Sequence, residues 1–384
     1  MSTDERFDLV ILGSGCAGLS LAYRLAQHDD APRTLMIDPR GEYTNDRTWC
    51  GWPVTPHPFQ DDVGARWHTL TLHTHQTSTT VESRRYPYEM LEAERFYART
   101  IEAIDAHPRL TRRQGRAVEV EDRENGVSIT LESGETIQAR FGVDTRPHPK
   151  PLTPPWLWQD FAGINVRAER MPQHAELMDF RVGDDPQAGI DFLYVLPYGP
   201  DQALFEWTRF GRPPTDPATL ERALDAYLNK HFGQGHWQAL RRETGTLPMA
   251  PPTRTDGRSL VVAGAYGGSM RAATGYAFHA IQRWADQCAK ALLEGRAPVG
   301  ARPGRILPQL DRIFMSTLAH HPERAPEFYR LLFEKAPTDR LIRFLSGVPG
   351  MCDTLSVMNA LPWGPLIKST LRQWHHWCPN IRPR

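Results

Sequence analysis

Residues 7–27 read FDLVILGSGCAGLSLAYRLAQ. Phe7 to Leu12 is a nearly unbroken apolar run of strand length, as a buried strand requires. Gly13-Ser14-Gly15-Cys16-Ala17-Gly18 then sets the spacing G-x-G-x-x-G, and Ala17 to Gln27 reads as a helix with Leu21 and Leu25 on its apolar side. TLMID (34–38) is a second strand, so the segment is a βαβ unit ending on Asp38. The glycines allow a tight turn and a close backbone approach to a pyrophosphate. The helix N-terminus offers free N–H groups to its charge, and an acid about 20 residues on accepts from a ribose hydroxyl. Gly13, Gly15, Gly18 and Asp38 are therefore expected to hold a dinucleotide. A place this early in the chain favours FAD over NAD.

A second strand–loop–helix lies at SLVVAGAYGGSMRAATGYAFHAIQ (259–282). Here Gly264, Gly267 and Gly268 precede a helix expected to begin near Thr274. Such a helix points its N-terminus at the flavin ring, and its dipole favours negative charge there, as in an anionic reduced flavin. Hydroxylase-type flavoproteins carry Gly-Asp at the position of Gly264-Ala265, which argues against a hydroxylase. GVDTRP (142–147) returns the chain to the first domain and brings Asp144 near the cofactor, unless Asp144 serves only as a turn residue.

Between these segments the pattern changes. TRPHPKPLTPPWLW (145–158) is a proline-rich domain edge, and AGINVRAE, LMDFRV, DFLYVLPY and ALFEWTRF follow as a run of strands. DPATLERALDAYLNKHF (216–232) is an amphipathic helix, and residues 305–384 read as helices broken at prolines. The fold class expected is α/β: a two-domain Rossmann-type FAD flavoprotein of the hydroxylase-like kind, with an antiparallel-sheet substrate domain and a helical C-terminal region. The FAD part takes residues 1–80, 111–150 and 244–300. A helical insertion occupies 81–110, the substrate sheet 151–243 and the helical region 301–384.

Composition narrows the function classes. With 45 basic and 45 acidic residues the chain shows no electrostatic footprint for nucleic acid. Five scattered cysteines fit a reducing compartment better than a disulfide framework. The acidic start is unlike a secretory signal, and no apolar run is long enough for a transmembrane helix. HHWC (375–378) is too compact for an ordinary four-ligand metal site, so no metal is expected.

In ALFEWTRF (203–210) the period of two puts Leu204, Glu206 and Thr208 on one face, with Phe205 and Trp207 on the other. Several stretches together resemble the flavin-dependent lycopene β-cyclases of bacterial carotenoid biosynthesis. These are NDRTWCGW (45–52), QDFAGINV (159–166), LMDFR (177–181), DFLYVLP followed by ALFEWT, TGTLPM (244–249), GGSMRAATGYAFHAIQ (267–282) and RLLFEKAPTDRLIRFLSG (330–347). Gly51 stands where many of these relatives have an aromatic residue, and Trp207 where they often have a second acid.

The resemblance implies FAD in its reduced form, with NAD(P)H as the outside electron source. It implies lycopene or a related linear carotene as substrate, closed to β-ionone rings without net redox change, with Glu206 as the essential acid. It adds Arg47, Trp49, Thr274 and Gly275 to the cofactor site. Tyr194, Leu204, Thr208 and Tyr276 would line the substrate, and Trp49, Tyr194 and Tyr276 are candidates to stabilise a cation through their rings. Lycopene resides in lipid, so a cytoplasmic protein held at the inner face of the membrane is expected. Trp363, Trp374, Trp377, Lys368 and Arg372 would contact the lipid surface. Two other functions share the scaffold: an FAD-dependent monooxygenase or desaturase for an apolar isoprenoid, and a non-catalytic isoprenoid carrier.

Overall fold

A computed structural model of the chain describes residues 7–372, apart from 184, 186, 253–255, 302, 303 and 305. Trp374, Trp377 and the HHWC stretch lie outside the described residues.

The first sheet has seven strands, five of them parallel, in the order Leu110–Gln114, Thr34–Asp38, Phe7–Leu12, Thr136–Asp144 and Leu260–Val262. The apolar run of the first strand is explained by burial on both faces, as parallel sheets require. Leu9 and Ile11 pack under the helices Cys16–Leu25, Ala93–Asp105 and Phe278–Leu293. Val10 and Leu12 pack with Val127, Ile129 and Ile137 of the antiparallel meander that runs from Ala117 to Asp144.

The second sheet has seven strands, in the order Trp237–Met249, Leu157–Ala168, Gln202–Gly211, Ile190–Pro197, Ala175–Asp179, Thr69–His73 and Ser78–Glu82. Its pairings are antiparallel except that Ala175–Asp179 runs parallel to Thr69–His73. One face is sealed by the helix Pro217–Phe232, whose Leu220, Leu224 and Leu228 pack on Ala162, Ile164, Phe205 and Trp207. The other face, with Leu204 and Phe192, looks toward the first domain and the C-terminal helices. A small sheet of Thr48–Gly51, Tyr88–Glu92 and Ala65–Trp67 fills the space between the two large ones.

Five helices complete the described chain, from Leu307–His320 to Trp363–Arg372, and Pro322, Pro337, Pro349 and Pro362 lie in the breaks between them. This is the two-domain Rossmann-type flavoprotein fold with a helical C-terminal region. One expected boundary moves. The late helix starts at Phe278 and not near Thr274, because residues 271–277 form a turn. Gly275 N–H donates to Arg271 O at 2.9 Å, Arg271 N–H donates to Tyr276 O at 3.2 Å, and Gly275 has φ +71°.

Candidate active site

Three chain segments meet at the expected dinucleotide site. Asp38 ends the second strand, and its carboxylate accepts from Ser14 N–H at 2.6 Å and Arg40 N–H at 2.8 Å. Arg40 also reaches back to Ser14 O at 2.8 Å, which fixes the glycine loop. Gly18 lets the helix sit on that loop: a methyl group there would lie 2.0 Å from Gly13 O. Thr145 Oγ1 donates to Leu12 O at 2.9 Å and to Gly13 O at 3.0 Å, and Gly264 comes up against Thr145 and Ala17.

Asp144 is fully buried beside them, as the cap of its own turn: its carboxylate accepts from Arg146 at 2.9 Å and lies 3.1 Å from His148 Nε2. Burial pushes its acidity one way, but hydrogen bonds from His148 and Arg146 prevail and hold the carboxyl well below the usual range.

Two features fit a bound dinucleotide. Among the described residues no side chain caps the helix Cys16–Leu25, which leaves its N-terminus open to an anion, and a methyl on Gly15 would meet nothing nearer than Arg40 Nη2 at 3.9 Å. The helix Phe278–Leu293 likewise has no side-chain cap. Before it, Gly267 and Gly268 close the loop from Gly264, and Thr274 and Gly275 sit in the turn.

The second cluster centres on Glu206. Its neighbours in register are Gly163 on one side and Tyr194 on the other. Glu206 is half-buried, and Thr208 donates to its Oε1 at 3.2 Å. Burial pushes its carboxyl from 4.5 up to about 8, the negative charge of Glu243 adds to this, and Thr208 and Arg241 pull the other way. The protonated form of Glu206 is thus favoured well above the usual carboxylate range.

The surrounding wall is aromatic. Tyr276 packs edge-on to Trp52 at 5.4 Å and lies 6.3 Å from Tyr88; Tyr194 packs on Phe192 at 5.3 Å. Burial pushes the phenols of Tyr88, Tyr194, Tyr276 and Tyr329 upward, so all four stay neutral. A cavity of about 350 Å³ opens beside Trp52, Tyr276 and Met270. A second, apolar one of about 130 Å³ runs from Thr274 and Tyr329 out to Trp363 and Ile367.

The structure thus brings Tyr194, Leu204, Thr208 and Tyr276 to Glu206 and sends Trp49 elsewhere. Trp49 stacks on Phe278 at 5.6 Å and meets Phe96 at 5.1 Å, half-buried against the first domain's core. Alternation along Thr48–Gly51 turns Cys50 to the Glu206 side instead, close enough to feel its charge. Arg47 is exposed, donating to Asp46 O at 2.7 Å. Trp207 faces the helix-covered side, so the missing second acid at that position would not have entered this chamber. Trp52, Tyr88, Tyr329 and Glu243 are members that sequence reading did not single out. Glu243 sits in RRETG, which reads as a solvated charge run, and only its strand register reveals it.

Among the described residues, His57, Glu89 and His279 group closely enough to hold a metal ion. Phe59 N–H donates to His57 Nδ1 at 3.2 Å, which leaves the ring proton on Nε2, directed at Glu89 Oε1 2.6 Å away. His279 Nε2 lies 2.9 Å from the same oxygen. Burial opposes it, yet hydrogen bonds from His279 and His57 draw the Glu89 carboxyl down to about 2. As placed, the trio is a hydrogen-bonded set, with the His57 lone pair facing backbone.

A family model described as lycopene cyclase protein matches residues 8–370. The chain belongs to the lycopene cyclase family. Its curated relatives are distant. A lycopene beta-cyclase of Pantoea ananas is 25% identical, over 94% of this chain and 96% of its own length. A chloroplastic neoxanthin synthase of Solanum lycopersicum is 22% identical over 77% of this chain, and the match spans only 62% of that relative. The fold is shared more widely than the family. A geranylgeranyl bacteriochlorophyll reductase-like protein of Thermoplasma acidophilum superposes with a TM-score of 0.59 at 13% identity, over 96% of this cyclase-family chain and 99% of its own. A flavoprotein/dehydrogenase of Cytophaga hutchinsonii gives 0.60 at 11% identity, over 97% and 100%.

Proposed function

We propose that the chain closes the ψ ends of lycopene, or a related linear carotene, to β-ionone rings with reduced FAD bound and Glu206 as general acid. The observation that carries this reading is a carboxyl whose burial favours its protonated form, set beside the neutral rings of Tyr194 and Tyr276. Such a group delivers a proton to an alkene, where an ionised carboxylate could not.

Proton transfer from Glu206 to the terminal double bond leaves a tertiary cation. The neighbouring double bond attacks it and closes the ring, and a ring proton passes back to the Glu206 carboxylate, directly or through water, which restores the acid and completes an isomerisation with no net change of electrons. The faces of Tyr194 and Tyr276 hold positive charge without adding to it, each contributing about 0.5–2 kcal/mol once water is excluded. Reduced FAD, when bound, supplies a delocalised negative charge near the cationic carbons. Gly13, Gly15, Gly18 and Asp38 would hold its dinucleotide part, and NAD(P)H is the proposed electron source. Expression in bacteria that accumulate lycopene tests the reading. Chromatography is expected to show γ- or β-carotene, and unchanged lycopene with FAD-loaded protein would remove it.

The substrate also calls for a lipid-facing surface. No described helix is long and apolar enough to cross a membrane. The helix Trp363–Arg372 instead exposes Trp363, Ile367 and Leu371 at every fourth position, with Met351 and Leu355 exposed on the helix before it. Lys368 and Arg372 flank this stripe, and the apolar cavity toward Tyr329 lies beneath it. An apolar face with basic flanks lies well on an anionic lipid surface. The paired change Ile367→Glu and Leu371→Glu is expected to lower flotation with anionic vesicles about tenfold or more while FAD binding is unchanged. Undiminished flotation would place the lipid contact elsewhere.

A further inference from the structure

Glu243, Gly163, Glu206 and Tyr194 occupy one row across four strands of the second sheet. Gly163 pairs with Glu243 on one side and Glu206 on the other, and Glu206 pairs with Tyr194. Residues in one such row project from the same face. The two acids are therefore separated by one strand, with spacing of about 4.7–4.9 Å from each strand to the next, and by a residue with no side chain. A methyl group on Gly163 would come within 3.1 Å of Glu243 Cγ, 3.3 Å of Glu243 Oε1 and 3.4 Å of Leu204 Cδ1. No protein atom of residue 163 therefore stands between the acids beyond its backbone.

Glu243 is itself buried and held in place. Arg241 donates to its Oε2 at 3.1 Å and to its Oε1 at 3.5 Å. The same guanidinium is shared with Asn45 O at 3.2 Å, Asn165 Oδ1 at 3.4 Å and Thr48 Oγ1. Its positive charge still favours the ionised form of Glu206, but less than the negative charge of Glu243 opposes it. Among the described residues, the other groups named around Glu206 carry no charge: Thr208 on its own strand, Tyr194 on the next, Tyr276 from the turn and Cys50 from the small sheet.

We propose that Glu243 is a positioning residue for Glu206, its fixed carboxylate across Gly163 adding to burial in keeping the proton on the acid. A buried ion pair is by itself a weak source of stability. This one acts on a neighbour. It disfavours a second negative charge in the same apolar space, and so makes Glu206 a reservoir for one proton. The inference rests on reading Glu206 as the proton donor.

The test is an infrared titration of the Glu206 carboxyl in the FAD-loaded full chain, read beside the pH profile of ring formation. The band is assigned by its loss in Glu206→Gln. Glu243→Gln removes a negative neighbour and leaves Arg241 unpaired. Both changes favour the ionised form, so the titration and the alkaline limb of activity are expected to move down by about one pH unit or more. Arg241→Gln is expected to move both upward, since Glu243 then acts uncompensated. Glu243→Asp, which keeps the charge, is expected to restore most of the wild-type position.

A merely structural role would lower the melting temperature without these opposite shifts. A Glu243→Gln titration unmoved from wild type would overturn the proposal. Should Glu206→Gln still form rings, the proton-donor reading fails instead, and the infrared titration still decides whether Glu243 governs the Glu206 proton.

Discussion

Glu206→Gln is expected to lower ring formation by about 10²–10⁴-fold, the range a positioned general acid supplies, while FAD remains bound. Glutamine keeps the size and the hydrogen bond with Thr208 but has no proton acidic enough to give to an alkene. The wild-type pH profile should carry the same signature. Glu206 is the active, protonated acid below about 8, so activity is expected to fall as pH rises through that value. The sign for stability runs against function. In the unfolded chain the carboxyl ionises above about 4.5, while in the fold it stays protonated to about 8. Folding stability is therefore lost across that window, at about 1.4 kcal/mol per pH unit at most. Near pH 8 the inactive glutamine variant should melt higher than wild type, as expected when an acid is held in an unfavourable place for its chemistry. A variant that forms rings at the normal rate would falsify the assignment of Glu206 as acid.

The two halves of the site were legible in the sequence to different degrees. The βαβ start is written locally. Gly13, Gly15, Gly18 and Asp38 each answer a backbone or charge requirement set within about thirty residues, and the strand–loop–helix geometry follows from it. The opposite faces of Glu206 and Phe205 were also local, because alternation along one strand decides them.

The chamber is different in kind. Trp52, Tyr88, Tyr276 and Tyr329 come from four separated segments, and only tertiary packing makes them one wall. Glu243 is hidden further. Its meaning depends on register with Gly163 and then with Glu206, which lie 80 and 37 residues before it along the chain but in the same row across neighbouring strands. Trp49 shows the converse. Its motif suits a functional aromatic, yet one step of alternation turns it against the core beside Phe278, and Cys50 takes the side facing Glu206. The turn at residues 271–277 delays the late helix, which its own residues would otherwise have started earlier.

Gly18→Ala and Gly15→Ala should both lose FAD, for opposite reasons, and the pair locates the cofactor. At Gly18 the added methyl would stand 2.0 Å from Gly13 O and 3.1 Å from Gly13 C. These are backbone atoms of the glycine loop and cannot swing aside, so the helix must move off the strand. The expected result is a chain that binds FAD at least about 100-fold more weakly and also melts lower, since Ala17, Leu19 and Leu21 leave their core contacts. At Gly15 the added methyl meets open space, with Arg40 Nη2 at 3.9 Å as its nearest neighbour. Its φ of −85° is one that alanine adopts freely. The fold should therefore keep its melting temperature without cofactor, or gain slightly from the stiffer unfolded chain. A fall in FAD affinity at Gly15→Ala can then come only from a group that must occupy the space over the helix N-terminus. Flavin fluorescence titration beside thermal melts of the apoprotein separates the two cases. If Gly15→Ala binds FAD as tightly as wild type, the pyrophosphate does not lie on this loop, and the dinucleotide reading of G-x-G-x-x-G in this chain is wrong.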